Sequence, residues 1–76
     1  MNKYRRKEIE DLIKKLESIK EEITIITDEE QEYYDNIPEN LQMSEKAENS
    51  QNAISDLEDA ECSVDDAISS LQSILQ

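Results

Sequence analysis

Pro38 is the one proline in a 76-residue chain that contains no glycine. Without glycine, left-handed backbone turns are expensive and a chain has few ways to double back. Proline lacks an N–H, clashes with the preceding helical turn, and pushes its predecessor, here Ile37, away from helical angles. A long helix reaching this point must stop. Residues 28–44, DEEQEYYDNIPENLQMS, are therefore the expected corner of the molecule.

Both sides of the corner carry helical spacing. Ile9, Leu12, Leu16, Ile19, Ile23 and Ile26 alternate three and four residues apart. This is the seam of a heptad, with Ile9, Leu16 and Ile23 at a and Leu12, Ile19 and Ile26 at d. The frame continues through Glu30, Tyr33 and Ile37, and Ile13 widens the stripe. The run Ile23, Thr24, Ile25, Ile26, Thr27 is β-branched and would suit a strand. No turn signal precedes it and no second strand is available, so the spacing predicts helix there. Beyond the corner, Ala47, Ile54, Glu61, Ile68 and Leu75 fall at a, and Ser50, Leu57, Val64 and Leu71 at d. Ser44 is the expected cap of this second helix, and Asn36 of a short turn containing Pro38. Leu41 and Met43 are expected to cover the end of the seam.

These features predict an all-α, antiparallel, coiled-coil-like helical hairpin in a single domain. Its parts are a helix over 3–36, a corner over 36–44 and a helix over 44–75. So small a domain is marginal alone. Cys62 is the one cysteine and there is no histidine, so an internal disulfide and the usual zinc sites are excluded. Ala53, Ala60, Ala67 and Ile74 recur every seven residues at g. Alanine is the best helix former, which accounts for part of this row. A row of short side chains beside a seam also admits another helix, and predicts a homodimer forming a four-helix bundle.

Charge is unevenly spread. The chain has 20 acids, 8 bases and a net charge of -12. Residues 1–20 carry seven bases and four acids, whereas residues 21–76 carry one base and sixteen acids. Such a chain repels nucleic acid and anionic membrane and seeks a basic partner. A hairpin pivoting near residue 40 sets Lys14 and Lys15 across from Asp65 and Asp66, and Lys20 near residues 58–61. Acids three or four residues apart on a helix lie about 5 to 6 Å apart along its axis, against one phosphate per 3.4 Å of duplex strand. A rod of regularly placed carboxylates can therefore stand in for a nucleic-acid backbone. The plainer account of the same row is a solvated face.

Catalytic chemistry is scarce. Asp28, Glu30, Glu32, Tyr34, Asn36 and Glu39 fall at calcium-loop spacing, but Tyr33 stands where the loop needs glycine. No phosphate-cradling loop is present, and a two-helix rod offers little concavity for shifting a pKa. Cys62 sits among acids that disfavour a thiolate. The expectation is a protein that is not an enzyme, with no cofactor and no metal. Adjacent Tyr33 and Tyr34 cannot both enter one seam. Tyr33 fits the core, and Tyr34 is a candidate interface anchor.

The segment EEQEYYDNIPENLQ, residues 29–42, followed by NAISDLEDAECSVDDAISSLQ, resembles short acidic helical proteins of Gram-positive phages, prophages and mobile elements. The resemblance implies a mobile-element setting and no mechanism. Combined with the charge, it points to an inhibitor that blocks the basic surface of a bacterial defence nuclease, such as a CRISPR or restriction enzyme, in the manner of a DNA mimic. The expected partner-binding residues are Asp28, Glu29, Glu30, Glu32, Tyr34, Asp35, Glu39, Asp56, Asp59, Asp65 and Asp66. The partner is a basic protein surface, with no direct nucleic-acid or membrane contact. The alternative is an adaptor that binds a partner helix through its apolar stripe. The absence of a long apolar run leads to an expected location in the bacterial cytoplasm.

Overall fold

A computed structural model describes residues 1–76 and is all-helical. Helix α1 spans Lys3–Asp35, a short 3-10 turn spans Glu39–Leu41, and helix α2 spans Glu45–Leu75. The two helices pack against each other as an antiparallel rod of 60 × 15 × 14 Å.

Local chemistry sets each boundary. Asn2 opens α1 by accepting from the Arg5 amide at 2.8 Å. At the far end, Pro38 has no N–H to give, so the last turn tightens. The Ile37 amide instead takes the Tyr34 carbonyl at 3.1 Å. Asn36 is the C-cap of α1, and Pro38 immediately precedes the 3-10 turn with no side chain capping it. Asn36 thus ends the first helix and does not open the turn, because its own amide is held by the Glu32 carbonyl. Ser44 caps α2, its hydroxyl accepting from the Ala47 amide at 3.3 Å. Glu45 and Glu48 in the first turn face the positive end of the helix dipole. The β-branched residues 23–27 are helical throughout.

The α2 seam follows its heptad. Ala47, Ser50 and Ile68 are buried, and Ile54, Leu57, Glu61, Val64, Leu71 and Leu75 are half-buried. The α1 seam departs from the expected frame. Ile9, Leu16 and Ile23 face α2, but Leu12, Ile19, Ile26 and Tyr33 are 47%, 44%, 51% and 42% exposed. The other side of the shared row turns inward: Arg6, Ile13, Lys20, Thr27 and Tyr34 at a, with Ile9, Leu16, Ile23, Glu30 and Ile37 at d. This alternation runs unbroken from residue 6 to residue 37.

Polar contacts accompany this orientation. With this face inward, Arg6 donates to the Leu75 carbonyl at 2.6 Å, answering an orphan acceptor at the negative end of α2. Thr24 donates to Glu61 at 2.9 Å, and Ser50 donates to Glu30 at 2.9 Å. Lys20 meets Asp65 at 2.7 Å. Every buried side-chain nitrogen or oxygen has a partner. Lys20 reaches about one turn further toward the open end than level pairing suggests, and Lys14 and Lys15 form no ion pair with Asp65 or Asp66.

The corner also differs from expectation. Leu41 is 48% exposed and Met43 98%, so neither covers the seam. Gln42 does so, its amide donating to the Ile37 carbonyl at 3.2 Å while its side-chain oxygen accepts from Tyr34 at 3.4 Å.

Candidate functional site

Two rows flank the seam of an antiparallel pair, the g positions on one side and the e positions on the other. On the g side lie Arg5, Leu12, Ile19, Ile26 and Tyr33 from α1, and Lys46, Ala53, Ala60, Ala67 and Ile74 from α2. The chains run so that Tyr33 is level with Lys46, Ile26 with Ala53, Ile19 with Ala60, and Leu12 with Ala67. The Lys46 ammonium lies 5.7 Å from the centre of the Tyr33 ring, which places both rows on one flank. Ile26 and Tyr33, with the polar Glu29, Glu30, Lys46, Asn49 and Ser50, line an open groove of about 530 Å³ on the same side. The α1 row on this flank is apolar from Leu12 to Tyr33.

The two rows on the e side are polar. Glu10, Glu17, Thr24 and Gln31 of α1 run level with Gln72, Asp65, Glu58 and Gln51 of α2. An open groove of about 690 Å³ lies here, lined in part by Glu17, Thr24, Asp65 and Gln72. Beside it, the Asp65 hydrogen bond raises the Lys20 ammonium above its ordinary pKa, with the charges of Asp65 and Glu61 adding to the effect and desolvation opposing it.

Most of the expected contact residues lie on the outer surface. Asp28, Glu29, Glu32, Asp35, Glu39, Asp56, Asp59, Asp65 and Asp66 are exposed. Two of the set are drawn inward. Glu30 is half-buried and holds Ser50, and Tyr34 is half-buried, donating to Gln42 and accepting from Gln51 at 2.8 Å. The tyrosines thus exchange their expected places. Tyr34 belongs to the hairpin interior, and Tyr33 stands on the apolar flank. Both follow from the side of α1 that turns inward, the side that carries the buried Ile13. Cys62 is exposed at b. No three carboxylates or thiols converge as metal ligands, and no helix is long and apolar enough to cross a membrane.

Folding also sorts charge along the rod. The open half, residues 1–20 and 60–76, carries seven bases and seven acids. The corner half, residues 21–59, carries one base and thirteen acids, so the whole net charge of -12 resides there. The fold and its surface define a two-helix antiparallel coiled coil with one apolar flank, one polar flank and one strongly acidic end. Comparison of the chain with protein-family models, curated proteins and solved structures gave no match.

Proposed function

We propose that this chain is a non-enzymatic binding protein that self-associates through its apolar flank into a four-helix bundle and offers its acidic corner half to a basic protein surface. The observation that carries the reading is the concentration of the entire net charge into residues 21–59. Glu21, Asp28 and Asp35 share one outer row, seven residues apart. Seven residues of helix rise about 10.5 Å, close to three phosphate steps of a duplex strand at 3.4 Å each. On α2, Asp59 with Asp66 repeats that interval just beyond the corner half, while Asp65 is held by Lys20. A groove built to hold a phosphate backbone would find carboxylates at matching intervals. The occupant we favour for the other side of the contact is a bacterial defence nuclease, blocked by a mobile-element protein that competes with DNA or RNA.

The test is competition. Purified Gram-positive CRISPR and restriction nucleases are incubated with labelled DNA, and displacement by the protein is followed as salt rises. Displacement at low salt that fades steeply with ionic strength is expected. Replacing Asp28, Asp35, Asp59 and Asp66 with their amides should abolish it. Undiminished displacement by that variant, or none by the parent across the panel, overturns the reading.

The exposure of Leu12, Ile19, Ile26 and Tyr33 favours a second reading, an adaptor whose apolar flank receives a partner helix. Its binding would change little with salt and would be lost on replacing Ile19 or Ile26 with glutamate.

A further inference from the structure

The apolar flank and the charge partition together specify how two copies meet. We infer that a second copy docks on the g flank head to tail, related by a two-fold axis that crosses the rod at the level of Ile19 and Ala60. This rests on the self-association proposed above and adds its geometry.

The size fits a second copy. One whole side of a rod 60 Å long and 15 Å wide projects to about 900 Å², against roughly 800 Å² taken from each partner in a stable interface; the apolar stretch from Leu12 to Tyr33 is about half of that side. The heptad rows fit as well. Ile19 is the central residue of Arg5, Leu12, Ile19, Ile26 and Tyr33, and Ala60 that of Lys46, Ala53, Ala60, Ala67 and Ile74. Both centres lie at one level, so a single crossing axis brings α1 onto the partner's α1 and α2 onto the partner's α2 in register. Leu12 then meets the partner's Ile26, and Arg5 approaches the partner's Tyr33.

Charge chooses between this arrangement and the other symmetric one. A two-fold axis along the rod also matches apolar rows, seating Leu12, Ile19 and Ile26 on the partner's alanines. It sets the two corner halves side by side, each with a net charge of -12. Packed helix axes lie about 8–10 Å apart, close to one Debye length in physiological salt, so that repulsion is only partly screened. Head-to-tail docking instead sets each acidic corner half beside a neutral open half. Lys15 then meets the partner's Glu22, twice by symmetry. Glu8 falls near the partner's Glu29, also twice, with Arg5 as the adjacent counter-charge. Along the rod, Glu22 would face the partner's Asp56.

Disulfide trapping tests this in the full chain with Cys62→Ser, folding being checked by circular dichroism. Head-to-tail docking puts each central residue against its own copy. Ile19→Cys alone and Ala60→Cys alone should each oxidise to a covalent dimer, while Glu17→Cys on the polar flank should stay single. Crosslinking only when the Ile19→Cys and Ala60→Cys chains are mixed would overturn the head-to-tail geometry in favour of the axis along the rod. A dimeric mass in sedimentation with neither crosslink would overturn the g flank as the contact. A single-chain mass at high micromolar concentration would overturn self-association itself, leaving the acidic-surface reading to its own competition test.

Discussion

Leu12 and Ile13 are neighbours in sequence, yet the structure gives them different duties, and their truncation measures which face of α1 turns inward. Ile13 is 7% exposed and Leu12 is 47% exposed. Cutting Ile13 to alanine removes three buried carbon groups at about 0.8 kcal/mol each, or about 2.4 kcal/mol. A narrow seam collapses readily, so the added cavity penalty is small, and the total belongs near the low end of the ~2–5 kcal/mol range for buried aliphatic truncations. The same cut at Leu12 removes groups already half in water and should cost about 1.2 kcal/mol. Ile25, 56% exposed at the outermost heptad position, is the reference. Its truncation should cost about 0.5 kcal/mol or less, because alanine is the better helix former. A domain of this length loses roughly 4–8 °C in melting temperature per kcal/mol. Ile13→Ala should therefore melt about 10–20 °C below the parent. The assay is urea and thermal unfolding followed by circular dichroism over a range of protein concentrations. At concentrations where sedimentation finds single chains, the order Ile13, Leu12, Ile25 should hold. If the chain docks on a second copy, the Leu12 penalty grows with concentration. Equal losses at Leu12 and Ile13 in single chains would refute the inward face described here, and a larger loss at Leu12 would restore the frame with Leu12, Ile19, Ile26 and Tyr33 inside.

Three further outcomes follow from particular contacts. Ser44→Ala removes the hydroxyl that caps α2 and should cost about 1 kcal/mol in urea unfolding, whereas Ser44→Asp should retain most of the stability. Lys20 gains its partner Asp65 on folding and its pKa rises above the ordinary 10.5. The folded state thus holds the proton more tightly than the unfolded state. Its contribution is complete below pH 10.5 and is lost as pH climbs through the folded value, so the stability gap between the parent and Lys20→Met should narrow in alkaline unfolding titrations. Tyr34→Phe removes the hydroxyl joining Gln42 and Gln51 and should destabilise by about 1 kcal/mol, while Tyr33→Phe on the open flank should leave single-chain stability unchanged within about 0.5 kcal/mol.

The helical pair was legible because its causes are local. Pro38 withholds a donor and bends its predecessor wherever it stands, and Ser44 caps whatever helix follows it. The α2 seam could be read residue by residue, since one narrow stripe, Ala47 through Leu75, leaves no choice of face. The acidic corner was equally plain in the order of charges. Which of its residues stand outside was only partly legible, because Glu30 and Tyr34 are acidic or aromatic like their neighbours and nothing local marks them as inward.

What the chain's own order determined is thus two helices, their stops and the face of α2. The tertiary structure alone decided the face of α1. Its apolar residues spread to both sides of Ile9, Leu16 and Ile23, and one partner helix can bury only one side. The side that is buried carries pairings between residues far apart in the chain: Arg6 with Leu75, Thr24 with Glu61, and Glu30 with Ser50. Hydrogen bonds at such separations exist only once the helices have met, so periodicity within a single helix carries no record of them.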